Sequence, residues 1–205
     1  MITIRPFETG DAGAIRFVYK QAFAGAPWFE KLTDEQILER WQKSFQHFGF
    51  AALVALDREI IVGGHWRETT HIAEVAGKWG DKLGRFAFDF LERQSACPAH
   101  LMSAHPCGDI IWERHLSVAP SWQGRGIGSL LRHTFVEQLS QEAGNFLVLT
   151  RMRDDNIAAI RTAEKLGFAR TGITMSSRSA PNTQHAFWFL FVRGQGAADQ
   201  KMAAN

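Results

Sequence analysis

Gln123-Gly124-Arg125-Gly126-Ile127-Gly128-Ser129 stands between the apolar stretch Ile110-Ile111-Trp112-Glu113-Arg114-His115-Leu116-Ser117-Val118 and a segment in which Leu130, Leu131, Phe135 and Leu139 recur at helical spacing. The stretch before it reads as a strand, closed by Ala119-Pro120-Ser121-Trp122 because proline cannot continue a central ladder. The segment after it reads as an amphipathic helix. Glycines let the backbone take positive φ and approach a ligand closely, and the first turn of a helix offers unpaired N–H groups with a favourable dipole. The loop therefore reads as an anion site that suits a pyrophosphate. Its spacing excludes two phosphate readings. The dinucleotide fingerprint requires glycine where Ser129 stands, and no Gly-Lys-Ser/Thr ending exists for a P-loop.

Working outward, residues 146–150 read as a buried strand, Ile157, Ile160 and Leu166 mark another helix, and Gly167 is its stop. Two final strands, 168–174 and 186–192, surround a polar loop containing Pro181-Asn182. Toward the N-terminus, Ile2-Thr3-Ile4-Arg5 alternates like a strand, and Asp11 is the expected N-cap of a helix through Ile15, Val18, Tyr19 and Ala22. Thr33 with Gln36 forms a capping box before Ile37, Leu38, Trp41 and Phe45. Residues 50–56 and 60–66 form an expected hairpin around Asp57-Arg58-Glu59. From about 67 to 99, Ile72, Val75, Ala76, Trp79, Leu83, Phe86, Phe90 and Leu91 follow a helical period interrupted by glycines, which reads as a helical insertion. Its apolar stripe packs on the sheet, covers a cleft, or forms a contact between two copies in a homodimer. The fold class is α/β (α+β), with residues 1–193 as one domain and 194–205 as a polar, disordered tail.

The loop resembles the Gln/Arg-x-x-Gly-x-Gly/Ala pyrophosphate loop of the GNAT superfamily, here as Gln123, Gly126 and Gly128. His115-Leu116-Ser117-Val118-Ala119-Pro120 is similar to the strand that precedes that loop. Asn156 through Phe168, ending Lys165-Leu166-Gly167-Phe168, resembles the family's downstream helix. The close likeness covers roughly residues 110–172. It implies a mixed, mostly antiparallel central sheet flanked by helices. It also implies acetyl-CoA as acyl donor, its pantetheine arm paired to backbone groups of Leu116 and Val118. N–H groups of Arg125, Gly126, Ile127, Gly128 and Ser129 would hold the pyrophosphate, with Gln123 and Gly124 counted in the same cofactor-binding loop, and Asn156, otherwise a plain helix cap, would contact the cofactor. The acceptor implied is a primary amine of a small molecule or peptide.

Transfer from a thioester to an amine requires the neutral amine, and deprotonating a lysine-like amine of pKa ~10.4 at pH 7 costs roughly 4–5 kcal/mol. Glu113 lies on the strand where members of the resembled family often place a carboxylate. His115, two residues on and on the same face of an alternating strand, has an ordinary pKa of ~6.5 that suits a base. Either serves as the expected base. Many family members carry a tyrosine acid in the last helix, and here Ala163 stands in its place. Tyr19, the chain's only tyrosine, is expected on the first helix, away from the loop. A thiol of pKa ~8.5 leaves unprotonated at pH 7 for only about 2 kcal/mol, so water can supply that proton. The missing tyrosine leaves a non-catalytic acyl-CoA binder as the alternative, and a nucleotide transferase using the same loop ranks below both.

The whole chain sets outer bounds. Its 205 residues, 45% apolar and 21% charged, are ordinary for a globular domain, and a net charge of +2 without a basic run gives no nucleic-acid track. No window approaches the ~18 apolar residues of a membrane span, and the first residues do not read as a signal peptide, so cytoplasm is the expected location. Two cysteines make no secreted disulfide framework. Cys97, His100, His105 and Cys107 supply zinc-type ligands in one segment, but a small buried cysteine and loop histidines are the plainer account, and no metal is expected. Most of the seven tryptophans and sixteen phenylalanines fall at core-facing positions, including Trp41, Phe45, Phe86, Phe90, Phe187 and Phe189. Trp28, Trp66 and Trp79 are candidates for an aromatic acceptor wall.

Overall fold

The computed structural model describes residues 1–47, 49–94, 109–177 and 182–195. Its elements run β1 (Ile2–Pro6), α1 (Ala12–Ala24), α2 (Asp34–Phe45), β2 (Ala51–Asp57), β3 (Ile60–His71), α3 (Ile72–Trp79), α4 (Asp81–Arg93), β4 (Asp109–Val118), α5 (Ile127–Gln141), β5 (Asn145–Arg153), α6 (Ile157–Lys165), β6 (Ala169–Ser176) and β7 (Gln184–Arg193). The strands hydrogen-bond in the order β1-β2-β3-β4-β5-β7-β6. The pairs β1–β2, β2–β3, β5–β7 and β6–β7 are antiparallel, whereas β4 and β5 run parallel from Ile110 opposite Leu147 to Glu113 opposite Thr150. The sheet is mixed and mostly antiparallel with flanking helices, the class expected from the sequence.

The chain forms two compact units. The first comprises Met1–Glu68, Arg114–Phe135 and Asp155–Leu166, and the second Thr69–Glu113, Val136–Asp154 and Gly167–Asn205. In the first unit, Ile15, Val18, Tyr19 and Phe23 of α1 meet Ile37 and Trp41 of α2, Trp66 of β3 and Ala119 in one buried cluster. A Cβ on Gly64 would strike the Ile15 side chain, so the glycine lets α1 lie close on β3. The Thr33–Gln36 capping box is present, with Gln36 N donating to Thr33 Oγ1 at 3.3 Å and Thr33 N donating to Gln36 Oε1 at 3.0 Å. Phe45, expected in the core, is 40% exposed. It ends α2 and packs its ring on Phe7 and Phe50 instead.

Asp11 occupies the N-cap position of α1, but its side chain makes no capping bond. The carboxylate instead accepts from Arg5 at 2.7 and 2.8 Å and from the Glu8 N–H at 2.8 Å, because the guanidinium fork on β1 offers two charge-assisted bonds against one from a backbone N–H. The hydrogen bonds from Arg5 hold the Asp11 carboxyl below the usual carboxylate range, opposed by its own burial. A depressed folded-state value stabilises the fold above the unfolded pKa of ~3.9, and that contribution is lost as pH falls through the folded value. In urea denaturation the stability gap between the parent and Asp11→Asn should therefore be full at about pH 5 and above and close toward pH 2. A gap that does not vary with pH would refute the assignment.

In the second unit, Val75, Leu83, Ala87 and Leu91 of α3 and α4 join Ile110, Trp112, Leu147, Leu149 and Phe187 in a common core. Of the three readings for the insertion's apolar stripe, packing on the sheet is the one these contacts realise. The helical part begins at Ile72 rather than near 67, since β3 continues through Arg67-Glu68-Thr69-Thr70 to His71. Threonines suit a pleated strand, and Glu68 has a partner there that the local sequence does not reveal. Gly80, at φ +94°, separates the two helices, and a Cβ on Gly84 would lie 2.5 Å from that of Ala76, so small residues let the helices touch.

Candidate functional site

Beyond β4 the chain makes a 3-10 turn at Pro120–Trp122 and passes through exposed residues 123–126 into α5. Gly124 and Gly126 have φ of +74° and +79°, values that L side chains adopt only with strain. The bond from Leu130 N to Gly126 O, 2.9 Å, marks the first helical turn, so the N–H groups of Ile127, Gly128 and Ser129 precede any intrahelical acceptor. Gly128 has a different job. A Cβ there would meet Leu116 at 3.7 Å and Val118 at 3.9 Å, ordinary contact, so this glycine brings the helix start beside β4 without requiring unusual backbone. Gly63 of β3 fits under the same place, since a Cβ would lie 3.1 Å from Ser117 O and 3.4 Å from Ile127.

Side chains then furnish the loop. Gln123 Nε2 donates to Val118 O at 2.9 Å, using one lone pair of a carbonyl on the strand expected to pair with pantetheine. The Arg125 guanidinium lies 4.6 Å from the Trp122 ring centroid, a cation stacked on an indole whose other contacts reach the buried cluster of α1 and α2. Asn156 caps α6, its Oδ1 accepting from Ala159 N at 3.3 Å. Thus Leu116, Val118, Gln123, Gly124, Arg125, Gly126, Ile127, Gly128, Ser129 and Asn156 all belong to the first unit. N–H groups in the first turn of α5, two left-handed glycines and the exposed Arg125 suit a phosphate anion.

His115 is half-buried in the first unit among aromatic rings, with centroids 4.5 Å from Trp66, 5.4 Å from Tyr19 and 6.1 Å from Phe23. Tyr19 is therefore on α1 as expected, yet it sits against a candidate base. Its hydroxyl donates to Glu30 Oε2 at 3.1 Å, and burial, reinforced by the Glu30 charge, pushes the phenol well above its ordinary pKa. Glu113 is the last β4 residue of the second unit, 2% exposed, and its backbone carbonyl accepts from Thr150 Oγ1 at 3.4 Å. Ala163 is fully buried.

Sequence reasoning missed two charged residues in the first unit. Glu68 is 2% exposed and accepts from Arg114 Nε at 2.5 Å, and Arg132 is 2% exposed on α5. A signal existed in each case, a charge at a position that the strand or helix period assigns to the interior. The proposed aromatic wall is divided. Trp66 belongs to the α1–α2 cluster with Trp28 packed at its edge, whereas Trp79 stacks on Trp112 of the second unit at 5.3 Å. Cys97, His100, His105 and Cys107 lie outside the described residues, among which no group of three or more His, Cys, Asp or Glu is placed to hold a metal. No helix among the described residues is long and apolar enough to cross a membrane.

Comparison with known proteins gives a match to the acetyltransferase (GNAT) family over residues 17–168. A mycothiol acetyltransferase of Mycobacterium leprae (strain Br4923) is 32% identical over 118 residues, which are 51% of this chain and 37% of the relative. The chain thus spans well under half the length of that relative. Among solved structures, the ribosomal-protein-S18-alanine N-acetyltransferase of Escherichia coli superposes with a TM-score of 0.63 at 16% identity, covering 96% of this chain and 97% of the other. A phosphinothricin acetyltransferase of Sinorhizobium meliloti, in complex with AcCoA, gives a TM-score of 0.63 at 16% identity, covering 96% and 91%. At such identities the structural likeness is one of fold.

Proposed function

Because the chain belongs to the acetyltransferase (GNAT) family, we propose that it transfers an acetyl group from acetyl-CoA to a primary amine of a small molecule or peptide, by direct attack within a ternary complex. The observation that carries this reading is the loop at residues 123–129, whose positive-φ glycines present the free N–H groups of α5 beside β4. Those N–H groups hold the diphosphate, the exposed Arg125 adds charge, and backbone groups of Leu116 and Val118 pair with the pantetheine arm. Asn156 contacts the cofactor with the amide group that its cap leaves over.

In the reaction, the amine nitrogen bonds to the thioester carbonyl carbon, the C–S bond breaks, and the amine proton passes to Glu113 or His115, directly or through water. His115 is half-buried among aromatic rings, and Glu113, two residues earlier on the same strand, is 2% exposed. Tyr19 does not act as the acid in this scheme, since its hydroxyl is buried on Glu30. The thiolate takes its proton from solvent.

The reading is tested by thermal stabilisation with acetyl-CoA set against ATP and NAD, followed by a panel of primary amines assayed for thiol release. Stabilisation specific to acetyl-CoA, with release dependent on an amine, is expected. Stabilisation without turnover on any amine would favour an acyl-CoA sensor, which the fully buried Ala163 in place of an acid also fits. Preference for ATP would return the loop to a nucleotide transferase.

A further inference from the structure

We propose that Arg132 is a positioning residue that couples the two ends of the donor site, an inference that rests on the acyl-CoA reading above. Arg132 is in α5, five residues after Ile127, about 7.5 Å along the helix from its start. It is 2% exposed, where the apolar residues around it, Leu131 and Phe135, are equally buried. A guanidinium is an expensive occupant for such a place unless its donors are engaged in fixed geometry, and a well-packed aliphatic residue would serve the core at least as well. Its presence calls for a role that an aliphatic side chain cannot fill.

The bonds around Ala159 supply that role. Arg132 Nη1 donates to Ala159 O at 3.1 Å, and Ala159 N donates to Asn156 Oδ1 at 3.3 Å. The backbone donor and acceptor of one residue in the first turn of α6 are thereby tied, one to the cap at residue 156 and the other to the helix that begins at the diphosphate loop. All of these groups lie in the first unit. Arg132 consequently sets where Asn156 stands relative to the N–H groups of Ile127, Gly128 and Ser129. A ligand that engages both ends, as coenzyme A does, gains from having them held in register before it arrives, because no ordering cost is left to be met on binding. A ligand that engages only the loop gains nothing from the tie.

The test uses the full chain and isothermal titration with two probes, coenzyme A and adenosine 3′,5′-bisphosphate, which carries phosphates but no pantetheine. Arg132→Met, close in length and able to pack, is expected to weaken coenzyme A at least tenfold while the bisphosphate stays within about twofold of the parent. Arg132→Lys keeps a buried cation but loses the planar fork, so it should lose coenzyme A affinity at least fivefold and keeps the test alive if the methionine variant does not fold. A fall in melting temperature alone does not distinguish the proposal from simple packing, and the ratio between the two probes does. Unchanged coenzyme A affinity, or equal loss for both probes, overturns the coupling role. If the unchanged chain binds neither probe, the donor reading itself fails, and the coupling role with it.

Discussion

Replacing Gly126 with aspartate is expected to lower acetyl-CoA affinity roughly a hundredfold or more and to leave the free chain's melting temperature within a few degrees of the parent. Gly126 is exposed, its φ is +79°, and a Cβ there would meet nothing within 4 Å, so the free protein has only a local backbone penalty to bear. Aspartate is among the residues that tolerate the left-handed region best, which keeps that penalty near ~1 kcal/mol. The ligand meets a different situation. A carboxylate about 5 Å from one diphosphate charge repels it by roughly 3 kcal/mol at an effective dielectric near 20, and it also competes for the same N–H groups. Gly126→Asn separates the two effects, since it carries the strain without the charge and should cost only about tenfold. Gly128→Ala provides the opposite control. Its Cβ would fit at 3.7 Å from Leu116, so affinity should remain within about threefold. Equal acetyl-CoA stabilisation of the parent and Gly126→Asn and Gly126→Asp variants would mean that no anion sits at this loop.

Arg114→Met is expected to reduce the free energy of unfolding by about 3–5 kcal/mol, measured by urea denaturation at neutral pH. The reason is Glu68, only 2% exposed, whose Oε2 accepts from Arg114 Nε and whose Oε1 is buried with no hydrogen-bond partner. Removing the guanidinium leaves a carboxylate that can neither reach water nor pair, and such a charge costs far more than the pair itself contributes. The Arg114 side chain is 26% exposed, and solvent screening on its side places the expected loss toward the lower end of that range. The double variant Arg114→Met with Glu68→Leu should recover most of the loss, to within about 1 kcal/mol of the parent, because apolar replacement of both partners removes the stranded charge. A single-variant loss below about 1 kcal/mol would show that Glu68 is satisfied by something other than Arg114.

Much of the local conformation at the candidate site was legible because its parts are close in sequence. The glycines, the proline that ends β4 and the helix that follows lie within about twenty residues, and the conformation of each is dictated by its own side chain or by the next turn. The same holds for the Thr33–Gln36 box, for Asn156 as a cap and for Gly167 after α6. What escaped were choices between local and distant partners. Asp11 has the right type and position for a cap, yet Arg5 on β1 offers it a bidentate bond. Residues 67–71 read as the start of a helical insertion, yet they continue as strand, where Glu68 meets Arg114 from a position 46 residues away. Tyr19 reads as a residue of the first helix, and only packing brings its ring onto His115.

By itself, the sequence determined the order of strands and helices, the left-handed glycines 124 and 126 and the helix start that follows, since these depend on torsional freedom and on hydrogen bonds spanning only a few residues. Only the tertiary structure decided which charges are buried, which rings surround His115, and that Arg132 reaches Ala159. Those outcomes depend on which groups the packed chain brings within about 4 Å from distant positions, and hydrogen bonds and packing forces fall away too steeply for residue type and spacing alone to report them.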